Sequence, residues 1–187
     1  SSDSEVSGNQ ATKYGAGIFN TDKAELNDKC VISGNITSGT SSARVGNCGG
    51  GIYVAGGKVT MNGGTVRDNQ ARNRYVEKNA TGSAGCGGGV YVSNYYDGAV
   101  FEMNGGEITA NQAVSSMDNG SYGNGGGVYV MGGLNSEKDS AYRSSPGTMI
   151  LGGGRITGNS ASCSGSGIYI GNKEIYRYSN DSLYTVY

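Results

Sequence analysis

Short apolar runs alternate with polar residues along the whole chain, and the runs recur. One reads Gly17-Ile18-Phe19, Gly51-Ile52-Tyr53-Val54, Gly89-Val90-Tyr91-Val92, Gly127-Val128-Tyr129-Val130 and Gly167-Ile168-Tyr169-Ile170, at steps of 34, 38, 38 and 40 residues. A second lies downstream: Met61-Asn62-Gly63-Gly64-Thr65-Val66-Arg67-Asp68-Asn69, Met103-Asn104-Gly105-Gly106-Glu107-Ile108-Thr109-Ala110-Asn111 and Leu151-Gly152-Gly153-Gly154-Arg155-Ile156-Thr157-Gly158-Asn159. Val31–Asn35 and Val6–Ala11 are partial copies. Alternation with a period of two, broken by glycine, marks strands. In the second unit they fall at Gly51–Val54, Lys58–Met61 and Thr65–Asp68. Three strands per repeat predict an all-β fold, a right-handed single-stranded parallel β-helix (β-solenoid) of about five three-strand coils with long corner loops. One domain spans 1–187. It has a partial opening coil at 1–13, units at 14–47, 48–85, 86–123 and 124–163, and a C-terminal coil or cap at 164–187.

The alternation assigns faces. Ile18, Ile52, Val90, Val128 and Ile168 form one inward column, and Val54, Val92, Val130 and Ile170 a second. Val59, Phe101 and Met149 stack beside Met61, Met103 and Leu151, and Ile32, Val66, Ile108 and Ile156 complete the interior. Rungs lie about 4.8 Å apart, so aliphatic groups bury one another. Asn9, Asn35, Asn69, Asn111 and Asn159 share one corner, where stacked amides hydrogen-bond along the column. Phe19, Tyr53, Tyr91, Tyr129 and Tyr169 fall on the opposite face from their aliphatic neighbours, which predicts an exposed aromatic stripe. Such a stripe either stacks on sugar rings or a partner surface, or packs for its own sheet, the preferred reading. It is also a surface that the insertion 131–147 can cover. The stretches 36–48, 70–86 and 112–124 read as loops from one corner, where binding often resides on a rigid scaffold.

Composition narrows the function. Glycine supplies 36 of 187 residues, without the triplet period of collagen. Net charge is −1 with no basic run, which argues against an electrostatic nucleic-acid binder. No apolar stretch approaches the length of a membrane-spanning helix, so no membrane insertion is expected. Histidine is absent, removing the commonest general base and metal ligand. The four cysteines form no CxxC pair, and neither a metal nor another cofactor is expected. Cys48 and Cys86 each stand three residues before a repeat glycine, so they face each other on adjacent rungs as a disulfide or as two stacked thiols. Cys30 and Cys163 lie too many coils apart to bridge.

The acids are scattered. Asp68 precedes the Asn corner, Asp97, Asp118 and Asp139 lie in loops, and Glu102 and Glu107 sit on different strands. Glu107 falls beside Thr65 and Arg155 on adjacent rungs, which predicts at most an exposed ion pair. No acidic pair has glycosidase spacing, and the chain reads as non-enzymatic. Four Asn-x-Ser/Thr triplets, at Asn35, Asn79, Asn119 and Asn180, are expected by chance in so Asn- and Ser-rich a sequence.

The Gly-Gly-Gly-Val-Tyr-Val and Met-Asn-Gly-Gly-Glu-Ile-Thr-x-Asn repeats resemble the parallel β-helix repeats of bacterial cell-surface proteins, including large secreted proteins of Gram-positive gut anaerobes. They are also similar to the middle region of chlamydial polymorphic membrane proteins. Gly87-Gly88-Gly89-Val90 resembles that family's Gly-Gly-Ala-Ile motif, and Phe101-Glu102-Met103-Asn104 its Phe-x-x-Asn motif. The resemblance implies an exported, extracellular adhesin-like or structural module whose partners are host or cell-surface glycans or proteins. A polysaccharide-binding or carbohydrate-active β-helix is the other expectation. The first repeat strand, Glu5–Asn9, is a third strand, and the Tyr-rich segments Glu174–Tyr178 and Ser182–Tyr187 are expected to complete the last coil as second and third strands. Open coil ends suit either a segment of a longer solenoid or a filament of protomers associating end to end.

Overall fold

Side chains that alternate inward and outward on glycine-bounded strands bury their apolar face here by coiling. The computed structural model describes residues 3–39, 45–74, 83–93, 98–116, 122–136, 145–171, 174–179 and 182–186. It is an all-β parallel solenoid, with strands β1–β24 numbered in chain order. Four parallel sheets form its walls and hold 19 strands.

Sheet 1 stacks β3 (Ile18–Asn20), β8 (Ile52–Val54), β13 (Val90–Val92), β17 (Val128–Val130) and β22 (Ile168–Ile170). Sheet 2 stacks β4 (Lys23–Leu26), β9 (Lys58–Met61), β14 (Val100–Met103) and β19 (Thr148–Leu151). Sheet 3 stacks β1 (Ser4–Ser7), β5 (Cys30–Ser33), β10 (Thr65–Arg67), β15 (Glu107–Thr109) and β20 (Arg155–Thr157). The register is that of the repeat: Ile32 pairs with Val66, Val66 with Ile108, and Ile108 with Ile156. The aliphatic columns form one buried core around Ile52, Val90, Val59, Phe101, Met61, Met103, Val66 and Ile108.

The coil has four strands rather than the expected three. Sheet 4 comprises β2 (Gln10–Ala11), β6 (Ile36–Gly39), β11 (Gln70–Asn73), β16 (Gln112–Ser115) and β21 (Ser160–Ala161). These residues open the stretches read as loops. Their inward column is Ala11, Thr37, Ala71, Ala113 and Ala161, too small and too polar to register as hydrophobic alternation. The excursions leave this sheet in register, since Asn73 pairs with both Gly39 and Ser115. Two of them return in register as β7 (Val45–Gly46) and β12 (Ser83–Ala84), which pair with each other.

The C-terminal segments do not complete the last coil. β23 (Glu174–Ser179) pairs in parallel with β18 (Leu134–Ser136) of the fourth unit's insertion, and β24 (Ser182–Val186) folds back antiparallel on β23. This hairpin lengthens a side sheet, and among the described residues no strand pairs with the outer edges of β19 to β22.

Candidate functional site

The repeat places the five aromatic residues of sheet 1 in register, Phe19 on Tyr53, Tyr53 on Tyr91, Tyr91 on Tyr129 and Tyr129 on Tyr169. Successive rings stack at centroid distances of 5.3, 4.9, 5.0 and 5.1 Å. The expectation of an exposed stripe is corrected by their burial. Tyr91 is 0% exposed, Tyr53 4% and Tyr129 5%, whereas Phe19 at one end remains 50% exposed. The covering layer is a second core of Cys48, Cys86, Ala55 and Met131, with Tyr14 and Tyr169 packed at its edges. It has two sources: Cys48 and Cys86 lie where the chain returns from sheet 4 toward sheet 1, and Ala55 and Met131 directly follow the sheet 1 strands β8 and β17, Met131 opening the insertion 131–147. The phenols are consumed internally. Tyr91 donates to Met131 Sδ at 2.9 Å, and Tyr53 donates to Ser93 Oγ at 3.2 Å. No continuous ring surface is left for a sugar.

Cys48 and Cys86 stand in this second core as fully buried thiols, not as a disulfide. Cys48 Sγ donates to Gly46 O at 3.2 Å, and Cys86 Sγ to Ala84 O at 3.5 Å. Burial pushes the Cys48 thiol well above its ordinary range, and the Cys86 thiol beside it adds to the effect. Burial likewise holds the Tyr91 phenol well above the usual value. Both groups stay protonated in the folded chain at pH values where the unfolded thiol and phenol ionise, above about 8.5 and about 10. Their contribution is intact below those values and is lost as pH climbs through them toward the raised folded-state values. The thermal unfolding midpoint is therefore expected to fall steadily from pH 8 to pH 11, by up to about 1.4 kcal/mol of stability per pH unit and group. Tyr91→Phe should flatten the upper part of that fall, as followed by circular dichroism.

The asparagines form a continuous directional ladder. Both the backbone N–H and the side-chain amide of Asn9 donate to Asn35 Oδ1, at 3.0 and 2.8 Å. Asn35 repeats this onto Asn69, Asn69 onto Asn111, and Asn111 onto Asn159, all at 2.9–3.0 Å. Each amide also reaches back one coil to a sheet 3 carbonyl: Asn35 to Val6, Asn69 to Ile32, Asn111 to Val66 and Asn159 to Ile108, at 2.9 Å. With Asn35, Asn69 and Asn111 fully buried, these groups hold coils together and are closed to a ligand. Asn35 is thereby also closed to glycosylation, while Asn79, Asn119 and Asn180 lie outside the described residues.

The acidic groups engage separate partners. Glu102 on the outer face of sheet 2 pairs with Lys58 one rung away, and that hydrogen bond holds its carboxyl below the usual range. Glu107 lies in register with Thr65 and Arg155 as expected, but its carboxylate accepts from Thr157 Oγ1 at 3.1 Å rather than from the guanidinium. Asp68 pairs with its neighbour Arg67 at 2.7 Å. Asp97, Asp118 and Asp139 lie outside the described residues. Among the described residues no group of three Cys, Asp or Glu side chains is placed to hold a metal ion.

What the structure does bring together is the corner itself. The described residues that precede three segments of unrelated sequence, Gly39, Arg74 and Ser116, end or follow β6, β11 and β16 on successive coils at the same edge of sheet 4; the segments 40–44, 75–82 and 117–121 themselves lie outside the described residues. Their anchors are rigid: Thr37 donates to Asn47 O at 2.9 Å, Asn47 Nδ2 donates to Thr12 O at 2.7 Å, and Asn73, Tyr122 and Asn124 are buried. No family model, curated protein or solved structure matches this chain.

Proposed function

We propose that this chain is a non-catalytic structural and adhesive β-solenoid module of a bacterial surface protein, working outside the cell. The observation that carries this reading is the shared corner. The strand ends that lead into segments of differing sequence follow one another in register on successive rungs of sheet 4, while the aromatic and amide columns are spent on internal packing. Such a division, an invariant frame and a variable edge, is how loop-based recognition is commonly built. Glycans or proteins of a host or neighbouring cell are the partners that fit a small polar edge with little net charge.

The test is binding of the intact chain to immobilised mucin, extracellular matrix and cells. Replacing residues 75–82 and 117–121 by short Gly-Ser turns should abolish retention while leaving the far-ultraviolet circular dichroism unchanged. Equal retention by the loop-replaced chain would sink the adhesive reading. Release of reducing ends or unsaturated sugar from a polysaccharide panel, lost on Glu107→Gln or Asp68→Asn, would replace it with a carbohydrate-active one.

A further inference from the structure

The second core holds chemistry that packing alone does not use. We propose that Cys48 and Cys86 are a modification site, oxidised by a small-molecule disulfide to a Cys48–Cys86 bond that staples two adjacent coils. This inference rests on the outer layer of sheet 1 and is independent of what the chain binds.

Backbone register sets the pair. Gly49 N–H donates to Cys86 O at 3.0 Å and Gly50 N–H to Gly87 O at 3.1 Å, so the two cysteines stand on neighbouring rungs of one ladder. Such neighbours lie about 4.8 Å apart, inside the Cα separation of roughly 4.4–6.8 Å that a disulfide spans. Both side chains turn into the same layer, where the Cys86 thiol lies beside that of Cys48. The other two cysteines have no such neighbour: Cys30 stands beside Ser4, and Cys163 beside Gly123.

Apolar packing does not call for sulphur at this position. The equivalent residue of the preceding coil is Tyr14, which bridges to Cys48, and those of the following coils are Asn124 and Ser164. The column accepts a ring, an amide and a hydroxyl, and sets thiols on two consecutive rungs. The layer also shields the bond once made, since both sulphurs are fully buried among Tyr53, Tyr91 and Tyr129.

Entry requires the return segment, held by the two-residue strands β7 and β12, to open. One cysteine thiolate then attacks a sulphur of the small disulfide, expelling one small thiolate and leaving a mixed disulfide on the chain. The second cysteine thiolate attacks that chain sulphur and expels the other small thiolate. The pair loses two electrons and two protons, and the reagent leaves as two thiols.

The experiment treats the folded full chain with excess oxidised glutathione at mildly alkaline pH, in the parent and in a Cys30→Ala, Cys163→Ser background. Intact mass of the double variant should fall by two hydrogen atoms with no glutathione retained. Digestion of either chain without reductant should yield one linked pair of peptides holding Cys48 and Cys86. The staple closes the loop between positions 48 and 86, so the thermal unfolding midpoint should rise by roughly 10 °C and return after reduction by a dithiol. Cys86→Ser in the same background should gain nothing. Two thiols that still titrate once the treated double variant is denatured, a glutathione adduct that persists on it, or a linked chain with an unmoved midpoint would overturn the proposal.

Discussion

Gly89→Ala is expected to destabilise the solenoid by about 4 kcal/mol or more, in the range reserved for forced backbone displacement. A Cβ at this position would lie 2.7 Å from Gly127 O, a carbonyl of the next coil that already accepts the Val90 N–H at 2.8 Å. It would also stand 3.0 Å from Asn111 Nδ2, in the middle of the amide ladder. Neither atom belongs to a flexible side chain that can swing away. The repeat supports the same conclusion: positions 17, 51, 89, 127 and 167 are all glycine, whereas the preceding position accepts Ala16 and Ser166. Gly8→Ala is the control. Its φ of +65° strains an L-residue, but no atom lies within 4 Å, so a loss of about 1–2 kcal/mol is expected. Urea titration followed by far-ultraviolet circular dichroism separates the two.

Asn69→Ala should lose about 3 kcal/mol or more in the same titration, since it strands several buried groups at once. Asn69 Oδ1 accepts from both amides of Asn35, and its Nδ2 donates to Ile32 O and to Asn111 Oδ1. None of these partners can reach water where it stands. Asn69→Asp keeps the acceptor, removes the donor and buries a charge, so it should be no milder than alanine. Asn159→Ala, on the last rung and half-exposed, should cost less than half as much. Equal losses at Asn69 and Asn159 would mean that the ladder is not the source of the effect.

The interior of the coil was legible because aliphatic residues recur at one spacing: Val66, Ile108 and Ile156 announce a column before any coordinates are known. The amide ladder was legible for the same reason. Sheet 4 was hidden because its inward residues, Thr37, Ala71 and Ala113, carry little apolar volume, and Gln, Ser and Asn between them imitate a loop. The fate of the tyrosines was hidden by a further step. Alternation tells which side of a strand a ring leaves, and nothing about a second layer outside that side. The layer had a faint signal in Cys48 and Cys86, small apolar residues repeated three positions before the glycines, read as a disulfide or two stacked thiols but not as a lid. The C-terminal hairpin eluded the pattern because strand periodicity does not specify a partner, and β18 lies in an insertion without a counterpart in the other units.

The one-way hydrogen bonding of the asparagines has a consequence for how the chain is made. Asn9, Asn35, Asn69 and Asn111 each donate to the asparagine oxygen of the coil that follows, besides the amide bonds that reach back, so the corner of each of these coils is completed only when its successor has been synthesised. A ribosome delivers coils in that order, and the advancing end always carries one waiting N–H pair that templates the register of the next arrival. Each coil is thereby coupled to an acceptor some 40 residues later in the chain, the nearest-neighbour coupling of repeat chains.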